Sequence, residues 1–135
     1  MILTDTGPLV AMLDDGEREH ARCIAELQRL GPPMLTTWPA FTEAMYLVNR
    51  RGGWPAQQAL WKFVENAWLE IAGIDERALS RMRSLMESYR DIPMSLADAS
   101  LVVVAEDRRL DRIFTLDSDF RAYRLIGGRW LTVIP

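Results

Sequence analysis

Short β-prone runs alternate with helical stretches along the whole of this chain, and that alternation limits the folds open to it. Met1–Thr4, Met34–Thr37, Leu69–Ala72, Arg112–Leu116 and Trp130–Ile134 read as strands. The apolar spacing and the Pro and Gly positions between them predict helices. One begins at Pro8 and runs to Leu13, and one spans Glu17–Leu30 with Ile24, Leu27 and Leu30 on its inner face. Another runs Pro39–Arg51 and is closed by Gly52-Gly53, with a further helix opened by Pro55. A helix starting at Asp75 carries Leu79, Met82, Met86 and Tyr89, and Ser95–Arg109 has an almost wholly apolar middle that predicts burial on all sides. Strands separated by helices pair in parallel, with the crossover helices lying on the sheet faces. The expected fold is α/β, one domain over residues 1–135, with a central, mainly parallel sheet of four to five short strands surrounded by helices.

Composition narrows the class further. With 135 residues, 49% hydrophobic and 26% charged, the chain can bury a core without covalent staples. Cys23 is the only cysteine, so no intramolecular disulfide forms and a reducing compartment, the cytoplasm, is expected. Apolar runs such as Leu9–Leu13 fall far short of the roughly 18 residues a membrane span needs, and the first residues carry no signal-peptide pattern. A net charge of −3 argues against a protein that coats nucleic acid by broad phosphate neutralisation. No P-loop, dinucleotide fingerprint or Ser-His-Asp order is present. A phosphatase of the haloacid dehalogenase type also opens with a strand and an Asp. It needs a second Asp two residues on, where this chain has Gly7.

A few acids stand out. Function in parallel α/β sheets gathers beyond the carboxyl ends of the strands. Asp5 follows the first strand there, and Asp117 follows Arg112–Leu116 with Asp119 two residues later. Asp98 falls in the first turn of the apolar Ser95–Arg109 helix, and Glu43 lies between Phe41 and Met45. Each has a purely structural account. Asp98 fits a capping box with Ser95, Asp5 and Asp117 fit caps or turns, and Glu43 complements a helix dipole. Together they carry more weight, because four acids on apolar-flanked segments are costly to bury without compensation. A divalent cation supplies it. An all-oxygen set without histidine or thiolate suits Mg²⁺ or Mn²⁺ rather than Zn²⁺, and such a site serves phosphodiester hydrolysis.

Other residues invite simpler readings. His20 and Cys23 sit on an amphipathic helix, His20 in a structural or surface role and Cys23 as a small buried hydrophobe. Trp38, Trp54, Trp61, Trp68 and Trp130 have the rings to stack on bases, but core or dimer packing is the simpler expectation for Trp61 and Trp68. Arg50, Arg51, Arg121 and Arg124 are candidates to contact phosphates, although each taken singly reads as a solvated surface charge.

The segment Met1-Ile2-Leu3-Thr4-Asp5-Thr6-Gly7-Pro8-Leu9-Val10-Ala11 resembles the opening of PIN-domain ribonucleases, above all the VapC-type toxins of toxin–antitoxin pairs. Phe41-Thr42-Glu43-Ala44 resembles their second acidic motif, Ser95–Ser100 with Ala105-Glu106 their third, and Thr115–Arg121 their fourth. The match is collinear over essentially the whole chain. It implies an endoribonuclease dependent on Mg²⁺ or Mn²⁺ that hydrolyses RNA, tRNA or mRNA, by activated water. Carried over by motif, Asp5, Glu43, Asp98 and Asp117 are the metal-site acids and Asp119 an auxiliary ligand. Thr6 and Thr115 then hydrogen-bond nearby carboxylates or waters. The resemblance also implies a homodimer and a cognate antitoxin that blocks the acidic groove. The alternative is a PIN-like RNA- or protein-binding module with a weak or inactive metal site.

Overall fold

Five strands, β1 (Ile2–Thr4), β2 (Met34–Thr37), β3 (Leu69–Ala72), β4 (Arg112–Phe114) and β5 (Thr132–Ile134), form one wholly parallel sheet in the computed structural model, which describes residues 1–135. Their order is β3-β2-β1-β4-β5, with Leu3 opposite both Leu35 and Ile113. Because successive side chains of a strand point to opposite faces, the sheet divides the core in two. Leu3, Leu35 and Ile113 enter one cluster, and Ile2, Met34 and Phe114 enter the other.

Five helices cover these faces: α1 (Thr6–Leu13), α2 (His20–Leu30), α3 (Trp38–Glu65), α4 (Arg77–Ser88) and α5 (Leu96–Arg108). The face holding Ile2 is covered by Leu9 and Val10 of α1, Cys23 and Leu27 of α2, and Phe41, Val48 and Leu60 of α3. The other face is covered by α5 and, outside it, by Met82 and Leu85 of α4. Helix α5 is buried without a break from Ala97 to Ala105, as its apolar middle predicts. Leu101 and Val102 are fully buried there, each side chain contributing roughly 1.5–3 kcal/mol through removal from water.

Several boundaries differ from the sequence reading, each for a local reason. Helix α1 begins at Thr6, two residues before Pro8, because the Asp5 carboxylate caps it; Pro8 is harmless in the first turn, where an N–H has no partner anyway. Helix α2 begins at His20, not Glu17. Residues 14–19 are held instead as turns, with Arg51 Nη1 bridging Asp14 Oδ2 at 2.9 Å and Glu17 Oε2 at 2.6 Å. Helix α4 starts at Arg77, whose N–H donates to Asp75 Oδ1 at 2.8 Å; Leu79 is exposed and Tyr89 lies past the last turn. By contrast, the expected break at Gly52-Gly53 is present: Gly53 takes φ 64° and ψ −155°, a region open to glycine alone, and divides α3 into two helical segments. β4 and β5 are shorter than predicted: Thr115 lies past the end of β4 but still donates its N–H to the Ile134 carbonyl at 2.9 Å, and Leu116, Trp130 and Leu131 lie outside the strands. Trp61 and Trp68 are not in the core. Trp61 packs edge-on against Phe41 at 5.2 Å, with its outer side in water.

Candidate active site

The chain runs from β1 outward to β2 and β3, then returns to β4 on the other side of β1. The loops leaving β1 and β4 therefore diverge, and a crevice opens between them at the carboxyl edge. Asp5 comes from the first of these loops, and Asp117 and Asp119 come from the second. Asp98, in the first turn of α5, and Glu43, on α3, complete the rim. All five carboxylates line one open cleft of about 560 Å³, and no lysine or arginine lines it.

Each acid is held by this fold. Asp5 Oδ1 accepts from the Thr6 N–H at 2.7 Å, and Oδ2 accepts from the Thr115 hydroxyl at 2.8 Å. The same Thr115 oxygen accepts from the Asp117 N–H at 3.0 Å, so one side chain ties two acids together. Asp117 Oδ1 accepts from the Asp119 N–H at 2.9 Å, the cap of a short 3₁₀ turn. Ser95 and Asp98 form the capping box that their spacing suggests. The cap and cleft roles of Asp98 coexist, because its Oδ2 takes these bonds and its Oδ1 has no protein donor. The Thr6 hydroxyl reaches the Ala40 carbonyl at 3.0 Å and Glu43 Oε2 at 3.3 Å.

Sequence reasoning missed Tyr123. Its ring is fully buried between Tyr89 and Phe120, and its hydroxyl donates to Asp98 Oδ2 at 2.7 Å. A buried phenol needs an acceptor, and the only hint was a tyrosine just past the fourth acidic stretch. Burial, with the Asp98 carboxylate beside it, pushes that phenol far above its ordinary value.

The electrostatics are those of acids crowded without a counter-charge. Asp5 is pushed up to about 6, chiefly by burial, against the lowering effect of its bonds from Thr115 and Thr6; Asp98 and Asp117 add to the rise. Asp119 is raised above the usual carboxylate range, first by Asp117 and then by burial and Asp98. No three of these side chains are drawn together into a closed ligand set. The neighbouring carboxylates raise one another's pKa values, and an ion bound among them would relieve that repulsion. The donor set, all carboxylate and hydroxyl oxygen, fits Mg²⁺ or Mn²⁺.

The remaining candidates fall elsewhere. His20 Nδ1 is 2.7 Å from the Ala11 carbonyl and Cys23 is buried, both in structural roles. Arg51 is occupied by Asp14 and Glu17, while Arg50 lies over the Tyr46 ring at 5.9 Å. A hollow of about 630 Å³ between α4 and α5 is larger than the acidic cleft, but Arg81 and Glu106 neutralise each other across it at 3.0 Å.

Residues 2–125 match the PIN domain family model. Ribonuclease VapC26 of Mycobacterium tuberculosis is 30% identical over 135 residues, covering 99% of this chain and all of that protein. Among solved structures, the M. tuberculosis VapC20 toxin, described as cleaving the sarcin–ricin loop, superposes with a TM-score of 0.82 at 21% identity over 96% of this chain and 99% of its own. A toxin–antitoxin complex from Klebsiella pneumoniae gives 0.66 at 21% identity, covering 100% and 97%. VapBC2 of Rickettsia felis, bound to a DNA fragment from its promoter, gives 0.65 at 14% identity with full coverage of both chains. The chain belongs to the PIN-domain family, and within it to the VapC-type proteins.

Proposed function

We propose that this protein is a metal-dependent endoribonuclease and the toxin of a toxin–antitoxin pair. The observation that carries the reading is the gathering of Asp5, Glu43, Asp98, Asp117 and Asp119 around one cleft that no cationic side chain lines. The relative named a ribonuclease and the toxin–antitoxin complexes of the same fold support it.

Asp5, Glu43, Asp98 and Asp117 would hold Mg²⁺ or Mn²⁺, with Asp119 as an auxiliary ligand. Bound there, such an ion supplies Lewis-acid stabilisation of developing charge and lowers the pKa of water. The chain's own work is orientation. Thr115 and the Thr6 N–H fix Asp5, Ser95 and Tyr123 fix Asp98, and the Asp119 N–H fixes Asp117, leaving Asp98 Oδ1, Asp117 Oδ2 and Glu43 Oε1 without protein donors. The net reaction adds water to phosphorus, breaks one P–O bond, and delivers a proton to the leaving oxygen. A cognate antitoxin that covers the cleft, a homodimer and a cytoplasmic setting belong to the same proposal. No helix is long and apolar enough to cross a membrane.

The acids' lack of a closed ligand set favours a second reading, a PIN-like module that binds RNA or protein with a weak metal site. Cleavage of a mixed tRNA and mRNA pool separates the two. The nuclease cuts at discrete positions with Mg²⁺ or Mn²⁺ and not with EDTA. A binding module retains RNA without cutting it in any of the three.

A further inference from the structure

We propose that the groove running from the acidic cleft past Arg121 to Trp130 binds the flanking nucleotides of a single-stranded RNA. One base stacks on the Trp130 indole, and backbone phosphates lie on Arg121 and Arg124. This rests on the ribonuclease reading above and adds where the substrate is held.

The acidic cleft cannot hold a polyanion unaided, since its lining is rich in carboxylates and free of cations. The adjoining surface differs. The cleft shares Leu116, Asp117 and Ser118 with a hollow of about 230 Å³, which in turn shares Arg121 and Val133 with one of about 430 Å³ bounded by Arg124 and Trp130. Three hollows thus join end to end, and the charge changes sign along them. Arg121 extends from the turn that carries Asp119, and its side chain makes neither an ion pair nor a hydrogen bond within the protein. Arg124 is pre-positioned: its Nη1 donates to the Arg121 and Tyr123 carbonyls at 2.8 and 3.0 Å, and its guanidinium carbon lies over one face of the Trp130 ring, 5.9 Å from its centre, so that a base would stack on the opposite face.

Trp130 is 64% exposed and has no aromatic neighbour. A base covers such a ring with little regard to sequence, and only an unpaired base offers its face. Of the other exposed tryptophans, Trp38 and Trp61 pack on Phe41, and Trp54 and Trp68 border none of the three hollows. Arg22 lines the middle hollow but is paired with Glu19 at 3.4 Å.

The test measures binding of a fluorescein-labelled 12-residue oligouridylate by anisotropy in EDTA over a range of salt, beside cleavage of the RNA pool with Mg²⁺. Trp130→Ala should loosen binding roughly 5- to 150-fold, the effect of one base–aromatic stack, while Trp130→Phe retains most of the affinity. Arg121→Gln should weaken binding and flatten the log–log salt slope by about 0.7. In cleavage, Trp130→Ala lowers kcat/KM and spares kcat. Trp54→Ala should match the parent in both assays. If the parent cuts RNA while Trp130→Ala and Arg121→Gln bind and cut equally well, the groove assignment falls and the nuclease reading stands. If Trp130→Ala instead alters self-association with RNA affinity unchanged, this edge beside β5 is a protein interface and the proposal is wrong. If the parent neither binds nor cuts RNA, both readings fall together.

Discussion

Asp5→Asn separates the electrostatic account of the cleft from a purely structural one. Asp5 is buried and pushed up from 3.8 to about 6, so the folded protein binds its proton more tightly than the unfolded chain does. Between those two values the native state carries more protons, so stability falls as pH rises through this window and levels off above about 6. The shift corresponds to an upper limit of roughly 3 kcal/mol of destabilisation at neutral pH. Asparagine keeps the shape and an acceptor for the Thr6 N–H or the Thr115 hydroxyl but carries no charge. Net of some lost hydrogen-bond strength, about 1–2 kcal/mol should be regained, a rise in Tm of several degrees for a domain of this size. The assay is urea or thermal unfolding in EDTA at pH 4, 5, 6 and 7.5. The variant should match or trail the parent at pH 4 and exceed it at pH 7.5. Mn²⁺ should stabilise the parent more at pH 7.5 than at pH 5 and leave the variant almost unmoved. A variant less stable than the parent at pH 7.5 in EDTA, or a difference that does not change with pH, would refute the reasoning.

Three further outcomes follow from particular contacts. Tyr123→Phe keeps the edge-on packing against Tyr89 and Phe120 but removes the bond to Asp98, and should lower stability by roughly 1.5–3 kcal/mol in urea and Mn²⁺ affinity by about 10- to 100-fold. Gly53→Ala forces a Cβ onto a backbone at φ 64° and ψ −155°, and unfolding midpoints should report a loss of about 1–3 kcal/mol. The Cys23 thiol is pushed up to about 11, by burial first and by Glu19 next, so it should resist iodoacetamide at pH 8 until urea unfolds the chain.

The sheet was legible because strand and helix signals alternate with sharp punctuation: Pro32-Pro33 before β2, Gly52-Gly53 at the kink of α3, Ser95 at the head of α5. The ends of β4 and β5 were not, since Thr115, Leu116, Trp130 and Leu131 are as β-prone as the residues inside the ladder. Only the neighbouring strand shows where pairing stops. The start of α2 was hidden for a similar reason. A side chain thirty-four residues away, Arg51, holds Glu17 in a turn that local propensity does not reveal. In the cleft, the acids were readable from their places after strands and at helix starts. Tyr123 was not, because its role is a long-range bond between a loop and α5. Of the two packings expected for Trp61 and Trp68, core or dimer, the core one does not hold, because apolar spacing on a helix does not say which face meets the core. Trp61 shares a helix with Leu60, which is fully buried, and stays at the surface itself.

On the proposed function, these carboxylates hold a divalent ion between them. Mn²⁺ uptake followed by electron paramagnetic resonance, in the parent and in Asp98→Asn and Asp117→Asn, tests it most directly. The parent should take up Mn²⁺ saturably and more strongly as pH rises through about 6, where Asp5 ionises, and each variant should take it up far more weakly. A parent that takes up no Mn²⁺ at millimolar concentrations, or folded variants that bind it as well as the parent does, would mean that this cleft is not a metal site.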